Sequence, residues 1–205
     1  MKVLLLNGSP HENGTTYSAL SEVAKSLNEN GVETEIVCVG NRDTAACTVC
    51  CACTNTHMCI KDDFVNEIIE KIENADGLIV GSPVYYAGLN GTLKSFLDKV
   101  FFAKKSFAFK PAAAVAVARR AGTTATLDII NKYFMISNMP VVTSQYWNMV
   151  FGSNGEQAES DVEGMQTMRI LGENMAYMIK CINAGKELGV KQPEEQVHIK
   201  TNFYK

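Results

Sequence analysis

The chain has 205 residues, 46% of them apolar and 20% charged, with a formal net charge of -3, a composition that argues against a disordered chain and against a basic nucleic-acid-binding protein. No apolar run reaches the roughly 20 residues needed to span a bilayer, so no membrane association is expected. A length in this range builds a sizeable core, and residues 1–205 are expected to form a single domain with a cysteine-rich insertion at 41–62 and a tail at 189–205.

Residues 3–6 (VLLL) form a short apolar run. It is too short for the apolar core of a signal peptide and is followed by a loop, which reads as a first strand in a cytoplasmic protein. After the loop "NGSPHENGTT", Tyr17, Leu20, Val23, Ala24 and Leu27 recur at helical spacing. "VETEIVCVG" predicts a second strand, and the cysteine stretch "CTVCCACTNTHMC" follows it as a long loop. A second helix is predicted near "KDD", where acidic residues suit a helix start, with Phe64, Ile68, Ile69 and Ile72 on its apolar side. "GLIVGSP", "NGTLKSFLDKVFFA", "PAAAVAVA" and "TTATLDIINKYFMISN" then alternate strand, helix, strand, helix. "PVVTS" is the expected fifth strand, "QYWNMVFGSNGEQ" a long loop, and Met165, Met168, Met175, Ile179 and Ile182 share one side of a last helix, as core or as an interface between subunits.

Strands that alternate with helices predict an α/β fold, a doubly wound five-stranded parallel sheet with helices on both faces. Ligands in such sheets bind beyond the carboxyl ends of the strands, where strand order reverses.

Three loops fall at those ends. In "GSPHENGTT", Gly8 and Gly14 permit tight turns, while Ser9, Asn13, Thr15 and Thr16 offer polar groups at a helix start, an arrangement suited to a monophosphate. The loop has neither the Lys-Ser/Thr ending of a nucleotide P-loop nor dinucleotide spacing, and it also reads as an ordinary capped loop. In "GSPVYYAGLNG", Pro83 and Gly88 shape a loop that displays Val84, Tyr85 and Tyr86, either to a planar heteroaromatic ligand or to a second subunit. In "ARRAGTTAT", Arg119 and Arg120 stand beside the turn at Gly122, either near a ring that gains negative charge or in surface ion pairs.

Together, "GSPHENGTT", "GSPVYYAGLNGTLKSFLDKV", "VARRAGTTAT" and "SQYWNMVFG" resemble the flavodoxin-like NADPH-dependent FMN reductase family, including its iron-sulfur flavoprotein branch, from about residue 2 to beyond residue 152. The resemblance implies strand order 2-1-3-4-5 and bound FMN. Its phosphate would be held by Ser9 and residues 11–16, and its isoalloxazine would lie against residues 83–88 and the turn near Gly122. It also implies a homodimer or homotetramer with FMN near the interface, so that the Tyr146, Trp147 loop would cover the partner's flavin. His11 departs from the pattern, since relatives usually carry Arg or Lys there; a group that titrates near neutrality stands in for a fixed charge.

The implied activity is hydride transfer from NAD(P)H as cosubstrate to FMN, then to a small-molecule acceptor such as a quinone, an azo or nitro compound, or free flavin. The flavin carries that chemistry, no acid or base is required of the protein, and Tyr85, Arg119 and Arg120 are positioning candidates. The choice between NADPH and NADH is not written in the sequence.

Cys47, Cys50, Cys53 and Cys59 are spaced C-x2-C-x2-C-x5-C, close to a bacterial ferredoxin run but with a wider last gap and no following proline. They fit a 4Fe–4S cluster, free or reversibly oxidised thiols, or zinc, whose ligands more often come as two separated pairs. Val49 departs from the glycine that relatives often carry before the second cysteine, and Cys51 has no assigned place. Cys38 and Cys181 are expected in the core and His57 in solvent. A cluster implies the alternative activity of an iron-sulfur flavoprotein, passing single electrons between the cluster, FMN and a ferredoxin-like partner. A flavodoxin-type carrier without turnover ranks third.

Overall fold

A computed structural model of the chain describes residues 1–104, 106–194, 196, 199 and 201. The elements run β1 (Lys2–Asn7), α1 (Thr15–Glu29), β2 (Glu33–Cys38), α2 (Cys53–Thr56), α3 (Asp63–Asn74), β3 (Gly77–Tyr85), β4 (Gly88–Leu89), α4 (Gly91–Lys104), β5 (Ala112–Ala118), α5 (Thr123–Ile136), β6 (Met149–Phe151), α6 (Gly155–Ser160) and α7 (Val162–Glu187). The strands pair in the order β2-β1-β3-β5-β6, all parallel, with the two-residue β4 folded back antiparallel on β3. Leaving out that appendage, the order is the expected 2-1-3-4-5.

The period of two along each strand divides the core. Val3, Leu5, Ile79 and Val115 turn to the face covered by α1 and α7, where Leu20, Val23, Met168 and Met175 meet them. Leu4, Leu6, Leu78 and Val80 turn to the other face, against Ile68, Phe96, Ile130 and Phe134 of α3, α4 and α5. Because both faces are covered at the centre of the sheet, β1 and β5 have no polar side to show, which is why their sequences read as solid apolar runs, unlike the half-buried edge strand β2.

Salt bridges tie one sheet edge together. The Glu35 carboxylate on β2 accepts from Lys2 Nζ on β1 at 2.5 Å and from Lys71 Nζ on α3 at 2.7 Å. Those two ammonium groups hold its pKa below the ordinary carboxylate range. A depressed carboxylate adds stability above its unfolded pKa and loses it as pH falls through the folded value. Glu35→Gln should therefore cost about 0.5–1 kcal/mol at neutral pH, with the deficit shrinking in urea titrations as pH falls below the ordinary glutamate value of about 4.3 and through the lower folded one.

The fifth strand is not where "PVVTS" predicts it. Val141 makes only an isolated bridge to Ala112, and pairing with β5 resumes at β6, inside the predicted loop. Between them the Asn148 side chain replaces a backbone donor: its Nδ2 donates to the carbonyl of Ala114 at 3.0 Å, and Ala116 N–H donates to the Asn148 carbonyl at 3.0 Å. The chain can bulge over 143–147 because a side-chain amide completes the ladder. Asp161 secures the far end, where Oδ2 accepts from Phe151 N–H at 2.7 Å and Oδ1 accepts from Gly164 N–H at 3.0 Å, capping α7.

Two cysteines also sit differently from expectation. Cys181 is exposed, because two residues beyond Ile179 lies more than half a helical turn from the buried methionine stripe. Cys38 is half-buried, and its thiol donates to the Ser9 carbonyl at 3.4 Å. Among the described residues no helix is long and apolar enough to cross a membrane.

Candidate functional site

Asn7 closes β1 between Cys38 on β2 and Gly81 on β3, at the central carboxyl edge of the sheet. It is buried, and it builds the loop that follows. Its Oδ1 accepts from Ser9 N–H at 3.0 Å, and its Nδ2 donates to the Glu12 carbonyl at 3.3 Å. Ser9, also buried, accepts from His11 N–H through Oγ at 3.1 Å. These short bonds fold residues 8–14 back toward the start of α1.

That helix start has the character of an anion site. Gly14 at the N-cap supplies no side-chain acceptor, and the first turn holds no acidic residue. Ser9 Oγ satisfies the His11 amide, as a serine in an ordinary loop does, while the N-cap of α1 itself carries no side-chain hydrogen bond. With no acidic side chain of its own in the first turn, the helix dipole and its first amides suit a phosphate monoester. Asn13 and His11 are exposed, Gly14 and Thr15 half-buried, and Thr16 buried.

The cysteine loop begins against this turn. Gly40 N–H donates to the Asn7 carbonyl at 3.1 Å, and a Cβ on Gly40 would lie 2.2 Å from the Gly8 carbonyl oxygen. Asn41 Nδ2 reaches Glu12 Oε1 at 2.8 Å. Neither Asn7 nor Gly40 was a sequence candidate. The one signal for Asn7 was a polar residue closing a solid apolar strand.

The second loop is a hairpin. Val84 pairs with Leu89 and Tyr85 with Gly88, leaving Tyr86 and Ala87 at the tip. Tyr86 is fully exposed with φ 55°, an unusual conformation for a bulky residue and one that tends to mark binding loops. Gly122, with φ 89°, packs under this hairpin: a Cβ there would lie 2.8 Å from Val84 Cγ1 and 3.0 Å from Ala87 Cα. Pro83 and Gly88 are half-buried, and Tyr85 is exposed. The structure thus brings Pro83, Val84, Tyr85, Tyr86, Gly88 and Gly122 together, while Arg119 and Arg120 both stand exposed at the end of β5. The rings of Tyr146 and Trp147 meet at 4.7 Å between centroids, tilted by 60°, and both are more than half exposed.

The cysteines form a second feature. Cys47, Cys50, Cys51, Cys53 and Cys59 line one cavity of about 440 Å³, with Lys99 and Asp62 in its wall. Burial pushes the Cys53 thiol above the ordinary range, and the closeness of Cys50, Cys59 and Cys47 pushes it the same way. Among the described residues, no group of three or more His, Cys, Asp or Glu side chains has closed to the geometry that holds a metal ion. The donor set nonetheless fits a thiolate-bound centre: the cysteines named by spacing share a cavity, and a metal ion's positive charge would offset the cost of a thiolate at the buried Cys53. Val49 and Cys51 adopt φ 51° and 58°. A β-branched residue is strained there, and this explains physically why glycine suits position 49. His57, φ 56°, is exposed, as expected.

Residues 1–154 match the family described as NADPH-dependent FMN reductase. The chain is 32% identical over 191 residues to an iron-sulfur flavoprotein of Methanocaldococcus jannaschii, covering 89% of this chain and 99% of that protein. It is 31% identical over 193 residues to an iron-sulfur flavoprotein of Methanosarcina thermophila, covering 91% and 100%. Among solved structures, a flavodoxin from the domain Archaea superposes with a TM-score of 0.62 at 14% identity, covering 88% of this chain and 99% of that one, a likeness of fold. The chain therefore belongs to the NADPH-dependent FMN reductase family, as a flavodoxin-like flavoprotein oxidoreductase.

Proposed function

We propose that the chain is an iron-sulfur flavoprotein: FMN lies at the carboxyl ends of β1, β3 and β5, and a 4Fe–4S cluster held by Cys47, Cys50, Cys53 and Cys59 exchanges single electrons with it and with a ferredoxin-like partner. The observation that carries this reading is the convergence of those four cysteines on one cavity. The names of the two relatives, matched over nearly their whole lengths, favour the same reading.

Bound FMN would supply electron chemistry in steps of one or two. The residues of this chain hold and orient it. The first-turn amides of α1, with Ser9, Asn13, Gly14, Thr15 and Thr16, neutralise the phosphate. His11 donates from the exposed rim, Pro83 to Gly88 and Gly122 provide a flat support, and the cations of Arg119 and Arg120 offset negative charge gained on reduction. His11→Ala should raise the FMN dissociation constant about three- to tenfold, the loss of a charge-assisted hydrogen bond at an exposed site, measured by flavin fluorescence.

The second reading is direct hydride transfer from NAD(P)H to FMN and on to a quinone, azo or nitro compound, or flavin. The exposed hairpin at Tyr85 and Tyr86 favours it, since a nicotinamide needs an open flavin face. In either reading the chain works as a homodimer or homotetramer, with Tyr146 and Trp147 near a neighbour's flavin.

Protein purified and reconstituted anaerobically with FMN, ferrous iron and sulfide separates the two. The cluster reading expects about four irons and four sulfides per protomer and a broad visible absorption beneath the flavin bands. Iron-free protein whose flavin bleaches rapidly with NADPH leaves hydride transfer alone. Protein that takes up no FMN overturns both.

A further inference from the structure

The two ends of the cysteine stretch differ in how firmly they are held. Cys47 and Cys50 lie on a segment whose positive-φ residues, Val49 and Cys51, project toward solvent. Cys53 and Cys59 are packed against the α3–α4 face of the core, the first buried and the second partly so.

Cys59 in particular is gripped by one side chain. Asn66, one turn into α3, accepts from Cys59 N–H through Oδ1 at 2.7 Å and donates through Nδ2 to the Cys59 carbonyl at 2.9 Å. A side-chain amide that takes both the donor and the acceptor of one residue behaves like a strand neighbour and fixes that residue's backbone direction. The start of α3 is anchored in turn: Asp62 caps it by accepting from Val65 N–H at 3.2 Å and pairs with the buried ammonium of Lys99 on α4. Side-chain accessibilities of 6% for Lys99 and 16% for Asp62 place that pair in the wall of the cysteine cavity.

A helix cap would ordinarily need neither a buried lysine nor an asparagine turned back onto the preceding loop. We infer that Asn66 is a positioning residue for the cysteine site: it holds Cys59 as a prebuilt ligand, with the Asp62–Lys99 pair bracing the helix it stands on, and Cys47 and Cys50 close onto this fixed half when a thiolate-bound centre forms. The inference rests on the cluster reading above.

A fixed ligand matters most for the rate of loss. A centre held by a preset thiolate re-forms a broken bond before a competitor enters, whereas a ligand on a free loop swings away. Anaerobically reconstituted wild type, Asn66→Ala and Asn66→Asp should be challenged with a ferrous chelator and iron release followed by absorbance, with FMN affinity and the thermal midpoint measured alongside. The expected result is iron release at least tenfold faster in Asn66→Ala, with FMN affinity within about twofold of wild type. Asn66→Asp, which keeps the acceptor for Cys59 N–H but not the donor, should fall between them, and it carries the test should the alanine variant not fold. Equal release rates in wild type and in the folded variants overturn the role of Asn66 and leave the cluster reading standing. A wild type that takes up no iron and sulfide overturns both.

Discussion

Gly40→Ala should abolish tight FMN binding, raising the dissociation constant about 100-fold, or roughly 3 kcal/mol. The added Cβ would stand 2.2 Å from the oxygen and 2.3 Å from the carbon of the Gly8 carbonyl, and 2.5 Å from the Ser9 carbonyl carbon. All three contacts are backbone, so no side chain can swing aside to relieve them. Gly8 N–H is fixed to the Gly81 carbonyl at 2.8 Å and Ser9 N–H to Asn7 Oδ1 at 3.0 Å. Accommodation therefore displaces the turn that faces the start of α1, and a misplacement of an ångström is enough to spoil convergent amides. Fluorescence titration of the apoprotein with FMN is the measurement. An affinity within threefold of wild type would show that the turn yields without cost.

The second large effect is expected at Lys99. Its ammonium pairs with Asp62 and is among the most buried charges described. Removing one member of a buried pair leaves the other charge uncompensated, at a cost of about 3–5 kcal/mol, so Lys99→Met should lower the unfolding free energy by that amount. Asp62→Asn in the same chain removes the stranded charge yet keeps a side-chain oxygen for Val65 N–H. The double variant should consequently recover to within about 1 kcal/mol of wild type, because neutral groups of similar size replace a buried pair at little cost. Urea unfolding of the four proteins of this cycle supplies the comparison. A single Lys99→Met variant that loses less than 1 kcal/mol would mean the ammonium reaches water.

Much of this architecture was legible in residue patterns, and the exceptions have physical reasons. Residues 3–6 and 112–118 are buried on both faces, and solid apolar runs report that directly. The edge strand failed to follow its pattern because β-branched residues at 141–142 reach only the start of the ladder, and the pairing past them depends on an asparagine side chain, which no periodicity encodes. The loop after β1 was singled out by its glycines and hydroxyls. Asn7 and Gly40 were not, because their roles arise where β1, β2 and β3 come together, far apart in sequence. Cysteine spacing named four thiols that share a cavity, but Lys99 and Asn66 lie on helices whose sequence shows only an amphipathic face.

The securing of β6 by Asp161 has a consequence for assembly. The outward amides of this edge are spoken for within the chain: Met149 N–H by the Trp147 carbonyl at 2.7 Å, and Phe151 N–H by the Asp161 carboxylate. A foreign strand arriving there would find an edge three residues long with its donors already engaged, a poor template for adding to the sheet. Growth into aggregates by edge-to-edge pairing is blocked on this side, and copies of the chain that meet here must do so through side chains.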